Sequence, residues 1–151
     1  MTGLRLVAIL ERGELAEPVE LPVVAAEILP ATAGMYRGSG FVPPWIGYVA
    51  VREGEAVGTC AFKGAPTEGR TEIAYFTFPE FEGHGIATAM AQTLIALARA
   101  TQPGLTVTAQ TLPERNASNR ILEKLGFRHT GMAHDDDVGE VWEWQLESGT
   151  K

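Results

Sequence analysis

The stretch PEFEGHGIATAM, residues 79–90, decides how this chain reads. Gly83 and Gly85 stand one residue apart, where an aromatic, β-branched run gives way to an alanine-rich one. Ahead of them TEIAYFTF, residues 71–78, alternates and is rich in strand-favouring residues. Behind them Ile86, Met90, Leu94 and Leu97 fall on one face of a helix, which Pro103 and Gly104 end. A strand, a glycine pair and a helix N-terminus, in that order, make an anion site. The first N–H groups of a helix lack carbonyl partners and carry about half a positive charge. Glycine lets an anion, typically a phosphate, approach them closely.

The elements on either side follow from pattern. IGYVAVR (46–52) and AVGTCAFK (56–63) flank EGE as a hairpin, and 71–78 adds a third strand. LRLVAIL (4–10) is a first strand. LPVVAAEILPATAGMY (21–36) is mostly helical in pattern, and Pro30 must kink or divide it. RGSGFVPPW (37–45) is a loop by its glycines and prolines. LTVTAQ (105–110) is a strand, and ERNASNRILEKLGF (114–127) holds a short helix that Gly126 ends. Two β-like runs near 127–132 and 140–146, joined by HDDDVGE, close the chain. The crossover from 71–78 through the long helix to 105–110 makes one parallel pair in a mostly antiparallel sheet. The expected class is α+β (mixed α/β), as one domain over 1–151.

Composition narrows the partners. The chain has 151 residues with a formal net charge of -7 and shows no basic stripe, which argues against a nucleic-acid partner. An acidic surface suits a cationic small molecule. No run approaches a membrane span, and Glu11, Glu14 and Glu17 break any secretory pattern, so no membrane partner and a cytoplasmic location are expected. Cys60, the lone cysteine, reads as a core thiol in VGTCAF. HDDD (134–137) reads as a solvated turn, and no metal is expected.

Three phosphate ligands compete for the glycine pair. A P-loop needs Lys and then Ser or Thr after its last glycine, but Ile86 and Ala87 follow Gly85. A dinucleotide fingerprint needs a third glycine where Thr88 stands, and a nicotinamide-dependent oxidoreductase falls with it. The third ligand is the pyrophosphate of an acyl-coenzyme A. Here the sequence resembles the GNAT superfamily of N-acetyltransferases, in particular small members similar to ribosomal-protein N-terminal acetyltransferases. The pattern Arg/Gln, two residues, Gly, one residue, Gly/Ala corresponds to 82–87, with Pro79 upstream. TLPERNASNRILEKLGF (111–127) and VWEWQL (141–146) match later family segments. The likeness spans 47–146, and the N-terminal part fits by element order alone. Two positions depart from the pattern: Glu82 replaces the Arg/Gln, and Leu122 stands where many relatives carry a tyrosine acid.

The resemblance implies a GNAT-type sheet, mostly antiparallel with one parallel, splayed strand pair, and helices on both faces. It implies acetyl transfer from acetyl-CoA to a primary amine of a small molecule, protein N-terminus or lysine, by direct attack in a ternary complex. A homodimer is an open expectation. Phe76, Thr77 and Phe78 would bind the pantetheine and thioester, with an N–H near Phe78 as oxyanion donor. Gly83, His84, Gly85, Ile86, Ala87 and Thr88 would hold the pyrophosphate, the Glu82 side chain pointing away, and Asn116 and Ser118 would complete the cofactor site. Glu72 is the candidate base and Tyr75 the candidate acid, on opposite faces of their strand. Glu27 is a further base candidate, and FVPPW is either an acceptor-pocket wall or a packed loop. The competing reading is a non-catalytic acyl-CoA sensor or partner module.

Overall fold

The computed structural model describes residues 3–113, 117–135 and 138–147. Seven strands form one sheet: β1 (Leu4–Ala8), β2 (Gly47–Arg52), β3 (Glu55–Phe62), β4 (Arg70–Thr77), β5 (Thr106–Thr111), β6 (Arg128–Asp135) and β7 (Gly139–Leu146). Their spatial order is β1-β2-β3-β4-β5-β7-β6. Among the described residues only β4 and β5 run parallel. The helices are α1 (Ile28–Ser39), α2 (Ile86–Thr101) and α3 (Ala117–Lys124). Among the described residues no helix is long and apolar enough to cross a membrane.

Two glycines show which helix covers which face. A Cβ on Gly47 would lie 2.9 Å from Thr32 of α1, and one on Gly58 would lie 3.0 Å from Met90 of α2. Directly opposed residues on neighbouring strands share a face. The pairs Gly47–Ala61 and Ala61–Ala74 therefore put Glu72, Ala74 and Phe76 on the α1 face. Tyr75, opposite Cys60, looks to the α2 face. Thr111 lies on that face too, and its side chain bonds Asn119, so α3 packs beside α2. Small residues let α2 lie close: Ala89, Ala91 and Ala98 are buried with Met90 and Leu94. Burying a side chain such as Leu94 contributes roughly 1.5–3 kcal/mol.

Three boundaries differ from the sequence reading. The 21–36 run is divided, with a 3₁₀ turn at Val23–Ala25 and α1 beginning only at Ile28. Pro30 then falls in the first turn of α1, where its missing N–H has no partner to lose. The helix also continues through Arg37, Gly38 and Ser39, which were expected in a loop, and ends at Gly40 with φ 92°. β6 runs on to Asp135 across an irregularity between His129 and Gly131, so His134 and Asp135 are strand residues rather than turn.

Candidate active site

The site begins where two strands part. β4 stays paired with β3 as far as Thr77, but its pairing with β5 ends at Ile73 and Ala109. β5 continues to Thr111 against β7. A fork therefore opens beyond Ile73. Alternate residues of a strand bond to opposite neighbours. Lys63 N–H donates to the Glu72 carbonyl, and Phe78 N–H donates to the Val57 carbonyl at 3.0 Å. Even-numbered residues of β4 thus face β3, and odd-numbered ones face β5, as the Thr106 bond to the Gly69 carbonyl shows. Beyond the fork, the strand edge that lacks a β5 partner belongs to Tyr75 and Thr77. The Phe78 N–H itself is engaged by Val57 and Phe78 is buried, so the fork-facing N–H near Phe78 is that of Thr77.

A cleft of about 710 Å³ runs from the fork to the glycine turn. Tyr75, Phe76 and Thr77 form its β4 wall. Gly83, Gly85, Ile86, Ala87 and Thr88 line its far end, with Glu82 beside them. Gly85 is the N-cap of α2 with φ 75°, and no side chain caps the helix. Gly83 has φ 81°, and a Cβ on either glycine would meet nothing within 4 Å. Conformation, not crowding, requires glycine there, and open space lies beside both. The first intrahelical bond comes from Ala89 N–H to the Gly85 carbonyl, so the Ile86, Ala87 and Thr88 amides lack partners within the helix. Free amides, a free strand edge and open space form a donor set that fits the pyrophosphate and amide-bearing arm of coenzyme A.

Ser118 of α3 closes the cleft and hydrogen-bonds the Tyr75 hydroxyl. Burial pushes the Tyr75 phenol up to about 12, against the lowering effect of Ser118. A buried chain holds α3 in place: Trp144 Nε1–H donates to Thr111 Oγ1 at 3.0 Å, and the Thr111 hydroxyl donates to Asn119 Oδ1. Asn119 was missed in the sequence. Its signal is the spacing of three from Leu122, which puts both on the buried stripe of α3. Leu122 is 0% exposed and belongs to the core. Asn116 lies outside the described residues.

Other candidates sit apart from the cleft. Glu72 pairs with Lys63 at 3.5 Å and lines a hollow of about 330 Å³ on the α1 side, with Thr108. Burial raises the Glu72 carboxyl, Lys63 lowers it, and Glu143 and Asp135 raise it further. His84 turns its Nδ1 to the Phe81 carbonyl at 3.1 Å and lines a different hollow with Arg52. Glu27 occupies the N-cap position of α1 without a capping bond from its side chain. In FVPPW the aromatic rings pack inward while Val42 and Pro43 are exposed: Phe41 meets Tyr36 edge-on at 5.1 Å, and Trp45 meets Phe62 at 4.9 Å. Among the described residues no group of His, Cys, Asp or Glu is placed to hold a metal. On the α1 face a pocket of about 140 Å³, lined by Ile28, Thr32, Ala61 and Ala74, shares Tyr75 and Phe76 with the cleft.

Comparison with known proteins agrees with this geometry. The acetyltransferase (GNAT) domain model matches residues 18–128. RimL, a ribosomal L7/L12 alpha-N-protein acetyltransferase, superposes with a TM-score of 0.71 at 17% identity, covering 100% of this chain and 97% of that one. The ribosomal-protein-S18-alanine N-acetyltransferase of Escherichia coli gives 0.62 at 11% identity, covering 79% and 78%. An N-acetyltransferase of Staphylococcus aureus Mu50 gives 0.57 at 22%, covering 68% and 67%. Such identities show the fold alone. No curated protein matches the chain. The extent of the domain match decides the family: this chain belongs to the GNAT acetyltransferases and is an acyl-transferring enzyme.

Proposed function

We propose that the protein moves an acetyl group from acetyl-CoA to a primary amine of a small molecule, lysine or protein N-terminus, the whole chain acting as one domain. The observation that carries this is the fork beyond Ile73 and Ala109, continuous with a cleft that ends on the uncapped amides of α2. The pyrophosphate lies on the amides of Ile86, Ala87 and Thr88, and the pantetheine arm lies along Tyr75 and Thr77. Their N–H groups are the donors for the charge that develops on the thioester oxygen.

The amine arrives from the α1 face. Glu72, with Glu143 and Asp135 near enough to raise its carboxyl, makes that face attractive to an ammonium ion. An amine of pKa near 10.4 must lose a proton before it attacks. Glu72 takes that proton through water, since it lies three residues, roughly 10 Å, from Tyr75 along the strand. The C–N bond forms as the C–S bond breaks, the Tyr75 hydroxyl gives its proton to the departing sulfur, and the second proton lost by the attacking nitrogen restores the phenol through solvent. The small pocket beside Ala74 suits an uncharged group next to the amine. Both ribosomal-protein enzymes named above act on protein substrates, and that class supports including protein N-termini among the acceptors.

The test is thiol release from acetyl-CoA across a panel of amines and peptides with free N-termini. Release that depends on the acceptor supports the reading. Tight coenzyme A binding with no release above background for any acceptor would contradict it.

A further inference from the structure

The pocket of about 140 Å³ on the α1 face differs in kind from the charged hollow at Glu72. Ile9, Ile28, Ala61, Ala74 and Phe76 supply apolar surface, and among the described residues no charged side chain lines it. The Thr32 hydroxyl, also in the lining, already donates to the Ile28 carbonyl at 2.8 Å. The wall is held in place before any ligand arrives. The Tyr36 hydroxyl donates to the Ile9 carbonyl at 2.7 Å and accepts from the Gly47 N–H at 2.8 Å, which ties α1 to two residues of the lining. A Cβ on Gly47 would lie 2.9 Å from Thr32 Cγ2, so the space depends on Gly47, Ala61 and Ala74 being small. Where the pocket meets the cleft, the Phe76 ring is 43% exposed. An uncovered ring beside preformed apolar space fits a ligand better than a core.

We propose that this pocket selects the acceptor: the carbon bearing the amine carries an uncharged, apolar group of leucine to phenyl size, which lies against Thr32, Ala61 and Ala74. This rests on the acetyl-transfer reading above. Tyr75 and Phe76 belong to both pocket and cleft, so a group in the pocket neighbours an amine at the fork. A dry cavity of about 150 Å³ holds a benzene ring, which sets the upper size. A charged group would lose its water there and find no partner.

Thiol release with dipeptide amides tests it, with Gly second and Gly, Ala, Leu, Phe, Trp, Asp or Arg first. Their α-amines titrate near one pKa of about 8, so the side group sets the differences. In the wild type kcat/KM should rise about 10- to 100-fold from Gly through Ala to Leu and Phe, and fall again for Trp, Asp and Arg. Ala74→Ile, at an exposed strand position, narrows the pocket and should lower the Leu-to-Gly ratio about tenfold. Ala61→Leu should do the same and serves if the first variant does not fold. The ratio cancels any loss common to all acceptors. Leucinamide and a longer peptide headed by Leu separate a small-molecule source from a polypeptide N-terminus, and use of either supports the pocket. Equal kcat/KM for Gly and Leu overturns the proposal while acetyl transfer stands. So does a preference for Asp or Arg over Leu, or a ratio that both variants leave unchanged. No release with any acceptor overturns the acetyl-transfer reading itself, and the proposal with it.

Discussion

Glu72 and Tyr75 lie on opposite faces of β4, on either side of Ile73, the last β4 residue paired with β5. Glu72 faces the α1 side and Tyr75 the α2 side, where Ser118 meets its hydroxyl. An acceptor and a leaving group on opposite sides of a fork need a base and an acid placed in this way.

Tyr75→Phe removes the proposed acid and keeps the ring. The expected result is a fall in kcat of about 10²-fold with little change in KM, read by thiol release. Because burial pushes the phenol up to about 12, tyrosine ionisation should leave the wild-type rate untouched up to about pH 10. An unchanged kcat in the Phe variant would remove Tyr75 from the mechanism.

Glu72→Gln separates charge from shape. The folded state raises this carboxyl, chiefly by burial, so the folded protein holds its proton longer than the unfolded chain. That contribution is fully present below the unfolded carboxylate range and is lost as pH rises through the folded value. The Gln variant should therefore gain Tm relative to wild type as pH rises through and above the ordinary carboxylate range. Activity should fall in the same variant. A Tm difference independent of pH would show that the carboxyl is not raised.

Gly58→Ala tests the packing behind the fork. The added methyl would lie 2.5 Å from the Phe76 carbonyl oxygen and 3.0 Å from Met90 Cε. Backbone cannot yield as a side-chain end can, so the loss should be about 1–3 kcal/mol in denaturant unfolding. Coenzyme A affinity should drop with it, because β4 forms the cleft wall. Wild-type stability would mean that β3 and β4 lie further apart than described.

Asn119→Leu leaves the Thr111 hydroxyl without its acceptor while filling the space. A loss of about 1–3 kcal/mol is expected, with a further fall in kcat as Ser118 loses its fixed place. Full activity at reduced stability would show that the buried chain does not position Ser118.

Much of this was legible in sequence because the signals were local. The alternation of 71–78, the apolar spacing of the long helix and the glycine pair each sit within one turn or strand. The direction of backbone groups was not legible. Which N–H of β4 faces the fork depends on the partner strand, and only the Val57 bond removes Phe78 from consideration. Likewise Pro30 marked a break in 21–36, but its place in the first turn of α1 depends on where the helix starts. The spacing of Asn119 from Leu122 marks it as buried, but its bond to Thr111 is a tertiary contact that no spacing within one element reveals.

Residue-resolved amide hydrogen exchange, with and without coenzyme A, tests the central claim most directly. The fork account predicts new protection at Tyr75, Thr77, Ile86, Ala87 and Thr88, with Phe78 unchanged because Val57 already holds its N–H. Protection confined to residues outside the fork and the first turn of α2 would contradict it.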